Sequence, residues 1–163
     1  MHRKDNKEGR RSMKCMFITV YVIGILVVSL VHDSCALCIK AAEANIRSGP
    51  GKEYEIIWQA YRFMPLQKVG TSLSGDWYAV RDVDGDIGWI YKTLVAGKYQ
   101  CAVVKSQIVN VRKGPGTKYR KVSSEPARRY DTFRIIQKQG AWVKVRDEWN
   151  SVGWIHKNYL WIR

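Results

Sequence analysis

The chain has 163 residues, with 28 Lys and Arg against 14 Asp and Glu, for a formal net charge of +14. That charge would suit nucleic acid, but the chain opens on an export signature, and an exported chain excludes a nucleic-acid partner. The four cysteines and three histidines supply one Cys-x-x-Cys, Cys35 to Cys38, with no second pair, so neither a zinc site nor any other metal or cofactor is expected.

Residues 1–14 are basic and polar, and carry six cations: Arg3, Lys4, Lys7, Arg10, Arg11 and Lys14. Residues 15–31 form an apolar run of 17 residues. As a helix that run would span about 26 Å, just short of a ~30 Å hydrocarbon core. A basic flank before an apolar run marks an export segment whose start stays in the cytoplasm. Residues 15–36 are therefore expected to be a signal peptide or a membrane anchor. Ser34-Cys35-Ala36 offers small residues for cleavage after Ala36, and the length of the run keeps an uncleaved inner-membrane anchor open. Translation from Met13 would leave a short, ordinary signal peptide. The surroundings of Cys35 and Cys38 do not resemble a lipoprotein box. The expected location is the periplasm or cell envelope.

The rest of the chain is a duplication. Asn45-Ile46-Arg47-Ser48-Gly49-Pro50-Gly51 returns 65 residues later as Asn110-Val111-Arg112-Lys113-Gly114-Pro115-Gly116. The same spacing relates Tyr54 to Tyr119, Gly75 to Gly140, Trp77 to Trp142, Asp82 to Asp147, and Gly88-Trp89-Ile90 to Gly153-Trp154-Ile155. Residues 45–95 and 110–160 share 15 identities over 51 ungapped positions, where composition alone would give roughly 3. The expected domains are repeat 1 over 37–97 and repeat 2 over 98–163.

Each copy reads as β structure. Gly-Pro-Gly forces a turn after a short extended piece. The next apolar strand falls at 64–69 in the first copy. In the second it falls at 130–136, about two residues later, and the following loop is shorter by the same amount. Trp142 to Arg146 alternates cleanly, with Val143 and Val145 on one face and Trp142, Lys144 and Arg146 on the other. Asp84-Gly85-Asp86 and Glu148 to Ser151 read as turns before Gly-Trp-Ile. No helical period appears in either copy. Short strands between Gly, Pro and Asp turns favour an all-β fold with two tandem small barrels behind the apolar segment.

Asn-Val-Arg-x-Gly-Pro-Gly-x-x-Tyr, a Trp-x-x-Val strand and a closing Gly-Trp-Ile together resemble the bacterial SH3-like (SH3b) family. Residues 153–160 are also similar to the closing strand of eukaryotic SH3 domains. The resemblance implies a partly open barrel of five to seven strands. It implies binding as the function, often of peptidoglycan or peptide, beside a catalytic domain. By analogy with SH3 grooves, Tyr54, Trp89, Tyr91 and Tyr119, Trp154, Tyr159 become groove candidates.

The charge is uneven. Residues 37–97 carry seven basic and seven acidic side chains, and residues 98–163 carry fifteen and four. Lys118, Arg120, Lys121, Arg128 and Arg129 are assigned to a basic loop after the second Gly-Pro-Gly. That loop is either a solvated face or a site for an anionic polymer. Cys38 and Cys101 each stand just before a repeat's first strand, so one disulfide between them, or two free thiols, is expected.

All seven tryptophans lie in the repeats. Small domains lean on large side chains for their core, which favours Trp89 and Trp154 as core or near-core residues. Trp77 and Trp142 lie opposite the inward Val80 and Val145, where an exposed ring would suit a sugar or an extended peptide. The shared Arg47/Arg112 and Asp82/Asp147 are expected to pair across strands or to cap turns.

No catalytic constellation stands out. A Cys–His hydrolase needs both partners close together, and the sole histidine after the export segment, His156, lies in the closing strand. The chain is expected to be a non-enzyme that binds a cell-wall polymer or an envelope protein. A membrane-anchored scaffold for protein–protein contact is the second reading, and an unrecognised hydrolase or accessory subunit the third.

Overall fold

A computed structural model describes residues 36–163. The basic segment 1–14, the apolar run 15–31, Cys15, Cys35 and the cleavage step at Ala36 lie outside the described residues, apart from Ala36 itself. Among the described residues, no helix is long and apolar enough to cross a membrane.

The first repeat contributes seven strands: β1 (Ala36–Ile39), β2 (Glu43–Arg47), β3 (Ile56–Tyr61), β4 (Pro65–Thr71), β5 (Trp77–Arg81), β6 (Ile87–Tyr91) and β7 (Val95–Ala96). The second contributes seven more: β8 (Cys101–Val104), β9 (Ile108–Val109), β10 (Ala127–Arg128), β11 (Thr132–Gln139), β12 (Trp142–Arg146), β13 (Val152–His156) and β14 (Leu160–Ile162). A short 3-10 turn, Lys92–Leu94 or Lys157–Tyr159, precedes the last strand of each. β1 begins at Ala36, which pairs with Gln67, so the first strand starts one residue before the expected edge of the repeat.

The strands of the first repeat run in the order β3-β2-β6-β5-β4-β1-β7. The second repeats this order as β13-β12-β11-β8-β14, with β10-β9 as a separate pair. An isolated bridge from Arg112 to Trp154 ties the β9 segment to β13, as Arg47 pairs with Trp89 in the first repeat. All strand pairs are antiparallel. Among the described residues no ladder joins β3 to β7, so the expected barrels are curled sheets that do not close.

Backbone geometry locates the two-residue offset between the copies. Phe63 and Tyr130 both have positive φ, at 66° and 72°, and stand 67 residues apart. Gly75 and Gly140, at 74° and 58°, stand 65 apart. The extra length therefore enters before β11 and is recovered before β12, in surface segments that carry little core.

Each repeat has its own core. Ile39, Ile46, Leu66, Val80 and Ile90 anchor the first, and Ala102, Phe133, Val143, Val145 and Ile155 the second. Along β12 burial alternates residue by residue, as half-buried strands require.

The repeats also share contacts. Val103 of β8 is buried in the first repeat's core, and Trp161 packs against it. Cys38 and Cys101 are joined by a disulfide. Thr132 Oγ1 donates to the Arg62 carbonyl at 2.6 Å, and Tyr130 Oη donates to Asp84 Oδ2 at 2.9 Å. Arg129 donates to Asp84 as well, and its other amino group donates to the Lys105 carbonyl at 2.8 Å. Apolar burial, a covalent link and directional bonds thus hold both repeats in one compact unit.

Candidate functional site

The recurring motif residues have local structural work. Arg47 Nη1 donates to the carbonyls of Lys52 and Tyr54, at 2.9 and 2.6 Å. Arg112 Nη1 donates to the Tyr119 carbonyl at 2.8 Å. Each arginine thereby holds the Gly-Pro-Gly turn closed. The rings of Tyr54 and Tyr119 lie directly on Gly49 and Gly114, where a Cβ would collide with them. Gly88 and Gly153 are packed against Ile46 and Val111, so these two glycines permit the close approach of β6 to β2 and of β13 to the β9 segment.

Asp82 Oδ1 accepts from the amides of Asp84 and Asp86, both at 2.9 Å, and Asp147 Oδ1 accepts from Ser151 N at 2.8 Å. The shared arginines and aspartates each cap their own turn, and no ion pair joins them among the described residues. Burial pushes the Asp82 carboxyl above its ordinary value, against the two amide bonds that favour its charged form.

What remains is a groove present in both copies. In the first repeat Asn45, Arg47, Trp77, Tyr91 and Leu94 line a cleft of about 460 Å³. In the second, Asn110, Arg112, Trp142, His156 and Tyr159 line one of about 490 Å³. These five positions correspond one to one at the 65-residue spacing.

Strand register explains the recurrence. Trp77 pairs with Tyr91 and Ala79 with Trp89 across β5 and β6. Trp142 pairs with His156 and Lys144 with Trp154 across β12 and β13. Alternation puts these side chains on the sheet face opposite Val80, Ile90, Val143 and Ile155. Trp77 and Tyr91 meet edge to face at 5.4 Å, as do Trp142 and His156, and Tyr159 adds a third ring 6.0 Å from His156. His156 Nδ1 accepts the Asn158 amide at 3.3 Å, which sets the ring's orientation. An aromatic wall beside an amide and a guanidinium can stack a ring and hydrogen-bond its polar edge.

The expected residues divide accordingly. Trp77, Tyr91, Trp142 and Tyr159 come together in the grooves. Trp89 and Trp154 share the same sheet face but lie outside the groove lining; Trp154 is buried and Trp89 half-buried. Tyr54 and Tyr119 are committed to their glycines. Trp77, expected to be partly exposed, is only 9% exposed, because Tyr91 covers it.

Lys118, Arg120 and Lys121 are exposed in the loop after Gly-Pro-Gly, next to the groove residue Thr117. Arg128 and Arg129 are not in that loop. Arg128 is in β10 near Glu125, and Arg129 is bound to Asp84. Asn45/Asn110 and His156 were not singled out as ligand residues. The asparagines are identical in both copies and open the motif, which is the signal that could have found them. His156 replaces Tyr91 at the 65-residue spacing, and the register shows that each faces the tryptophan of its own groove.

Residues 40–97 match a family model described as bacterial SH3 domain, and residues 108–160 match a second model with the same description. Among curated proteins, the chain is 26% identical over 135 residues to the "Putative N-acetylmuramoyl-L-alanine amidase YrvJ" of Bacillus subtilis (strain 168). That match covers 75% of this chain and 24% of the relative, so the chain spans about a quarter of its length. Among solved structures, it is similar to NlpC1 from Trichomonas vaginalis, with 11% identity and a TM-score of 0.35, over 77% of this chain and 45% of that one. It is also similar to an NlpC/P60 family protein from Bacillus cereus ATCC 10987, with 12% identity and a TM-score of 0.34, over 78% of this chain and 56% of that one.

Proposed function

The chain belongs to the bacterial SH3 domain family, with two such domains in tandem, and on that premise we propose that it is an exported, non-catalytic module that binds a cell-wall polymer. The observation that carries the reading is the recurrence of one groove, Asn-Arg-Trp with an aromatic or imidazole partner, in both repeats. A repeating polymer presents equivalent units to equivalent grooves, and two grooves in one compact unit bind it with avidity. The relative named as an amidase of N-acetylmuramoyl-L-alanine bonds supports the same ligand class.

The pairing of the two cysteines after the export segment supports the reading of binding without Cys–His catalysis. Cys38 and Cys101 are bonded to each other and buried, so neither is a thiol that His156 could activate. The basic loop beside the second groove would add attraction to an anionic wall polymer.

The test is sedimentation of the full chain with purified peptidoglycan across a salt series. Retention that survives about 0.5 M salt, where exposed charges are screened within a few Å, supports groove binding. Tyr91→Ala or Trp142→Ala should each then lower retention by about 10²-fold through lost avidity. Retention that vanishes by about 0.3 M salt would instead assign the affinity to the basic loop. A chain that stays in the supernatant at every salt concentration would replace the wall polymer with an envelope protein as partner, the scaffold reading.

A further inference from the structure

The two repeats differ most where the first is plugged by its own tryptophan. Ile57 and Val122 are equivalent in space. Each packs against the glycine that opens Gly-Trp-Ile, 2.9 Å from where a Cβ on Gly88 or Gly153 would stand. The next residue in the first repeat is Trp58, which packs against the first repeat's core, as Val83 also does. Its indole nitrogen meets no hydrogen-bond acceptor among the described residues, so the ring is held by shape. In the second repeat the residue after Val122 is Ser123, and Ser123-Ser124-Glu125-Pro126 stands in place of Trp58-Gln59 before the next paired strand. Glu148 stands in place of Val83.

The plug is missing, and a cleft of about 510 Å³ opens there, within the ~300–1,000 Å³ usual for binding sites. Its floor includes Val111, Val122 and Phe133. Val111 is only half-buried, whereas its counterpart Ile46 is fully buried.

The rim has a definite sign. All four acidic residues of the second repeat, Glu125, Asp131, Asp147 and Glu148, line this cleft. None of that repeat's fifteen lysines and arginines does. Trp149, 78% exposed, stands at the edge with Tyr130 and Tyr61. An anionic polymer is repelled by such a rim, while a cation is attracted to its carboxylates and its ring faces.

We propose that this cleft is a receptor for a cationic peptide segment bearing one large aromatic side chain, which enters where Trp58 sits in the first repeat. Trp58 supplies the template for the side chain, and the carboxylate rim selects positively charged flanks. The site is separate from the paired grooves and does not depend on their binding a wall polymer.

The test uses N-acetyl, C-amide Lys-Trp-Lys as probe, with Glu-Trp-Glu and Lys-Ala-Lys as controls, titrated into the isotope-labelled full chain by NMR. Lys-Trp-Lys should bind about tenfold tighter than either control and shift the amides of Val122, Val145 and Gly153 rather than those of Trp142 and His156. Ser123→Trp, which restores the plug, should abolish binding, and Ser123→Ala should retain it. Glu148→Lys, on the exposed rim where folding is not at stake, should reverse the preference toward Glu-Trp-Glu. Equal binding of Lys-Trp-Lys and Glu-Trp-Glu, shifts confined to the groove residues, no detectable binding, or binding that survives Ser123→Trp would each overturn the proposal.

Discussion

Cys38 in β1 and Cys101 in β8 are bonded to each other with their Cα atoms 5.9 Å apart, and the residues between them make up almost the whole first repeat. β1 and β8 are equivalent strands of the two copies, so the covalent link joins the repeats through corresponding elements. Both cysteines are buried, and Val103, two residues after Cys101 in the same strand, packs in the first repeat's core.

Reduction of that bond, or Cys38→Ala with Cys101→Ala, should lower stability by about 4 kcal/mol, the chain-entropy value for a loop of that length. Urea unfolding with and without reductant measures it. The transition should stay single, because Thr132, Arg129 and Tyr130 still bridge the repeats. Adding Asp84→Ala, which removes the acceptor for both Arg129 and Tyr130, should split it into two. One transition in the triple variant would show that apolar contact and the remaining Thr132 bond are enough to couple the repeats.

Gly88→Ala and Gly153→Ala should each destabilise by about 1–3 kcal/mol through overpacking. The added methyl meets Ile46 or Val111, and the carbonyl of Arg47 or Arg112 stands 3.3 or 3.2 Å away. Backbone cannot give way as a side-chain tip can. Gly85→Ala is the contrast: its φ is 96° with nothing within 4 Å, so any cost there is conformational. Thermal denaturation of the three variants separates the two causes, and equal losses in Gly88→Ala and a Gly88→Ser variant would support the steric one.

The two groove tryptophans should respond differently. Trp77 is buried and Trp142 half-buried, so Trp77→Ala should cost about 3 kcal/mol in folding stability and Trp142→Ala clearly less. Chemical denaturation reads this without any ligand. A larger loss for Trp142→Ala would mean that the second groove, not the first, carries the structural ring.

Asp82 should make the protein less stable at neutral pH than an uncharged analogue. Its folded pKa lies above the unfolded value near 3.8, with burial as the main cause. The folded state therefore binds the proton more tightly. That contribution is complete below the unfolded pKa and is lost as pH rises through the folded one. Asp82→Asn keeps an oxygen for the amides of Asp84 and Asp86 without the charge. Its melting temperature should exceed the wild type at pH ~7 and converge with it at pH ~3. A lower melting temperature at neutral pH would show that the amide bonds outweigh the burial.

Much was legible in the chain because the duplication exposes it. Two copies of a motif at constant spacing mark which residues the fold requires, and turn chemistry at Gly-Pro-Gly and before Gly-Trp-Ile is local physics. Strand identity, the alternation of Val143 and Val145, and the two-residue offset before β11 all follow from period and punctuation. The roles of Arg47 and Asp82 were less legible. Both could pair across strands, and only the folded turns show each reaching carbonyls or amides of its own loop.

What the sequence by itself determined is the family, the strand content and the two-copy organisation, because these rest on neighbours along the chain. Tertiary structure alone decided which aromatics share a groove, because register across β5–β6 and β12–β13 joins residues 14 positions apart, Trp77 to Tyr91 and Trp142 to His156. It alone assigned Arg129 to Asp84 rather than to a free basic loop. It also turned the exchange of Trp58 for Ser123 from an unremarked difference into an open cleft, since a side chain's absence has consequences only where the surrounding core leaves its volume unfilled.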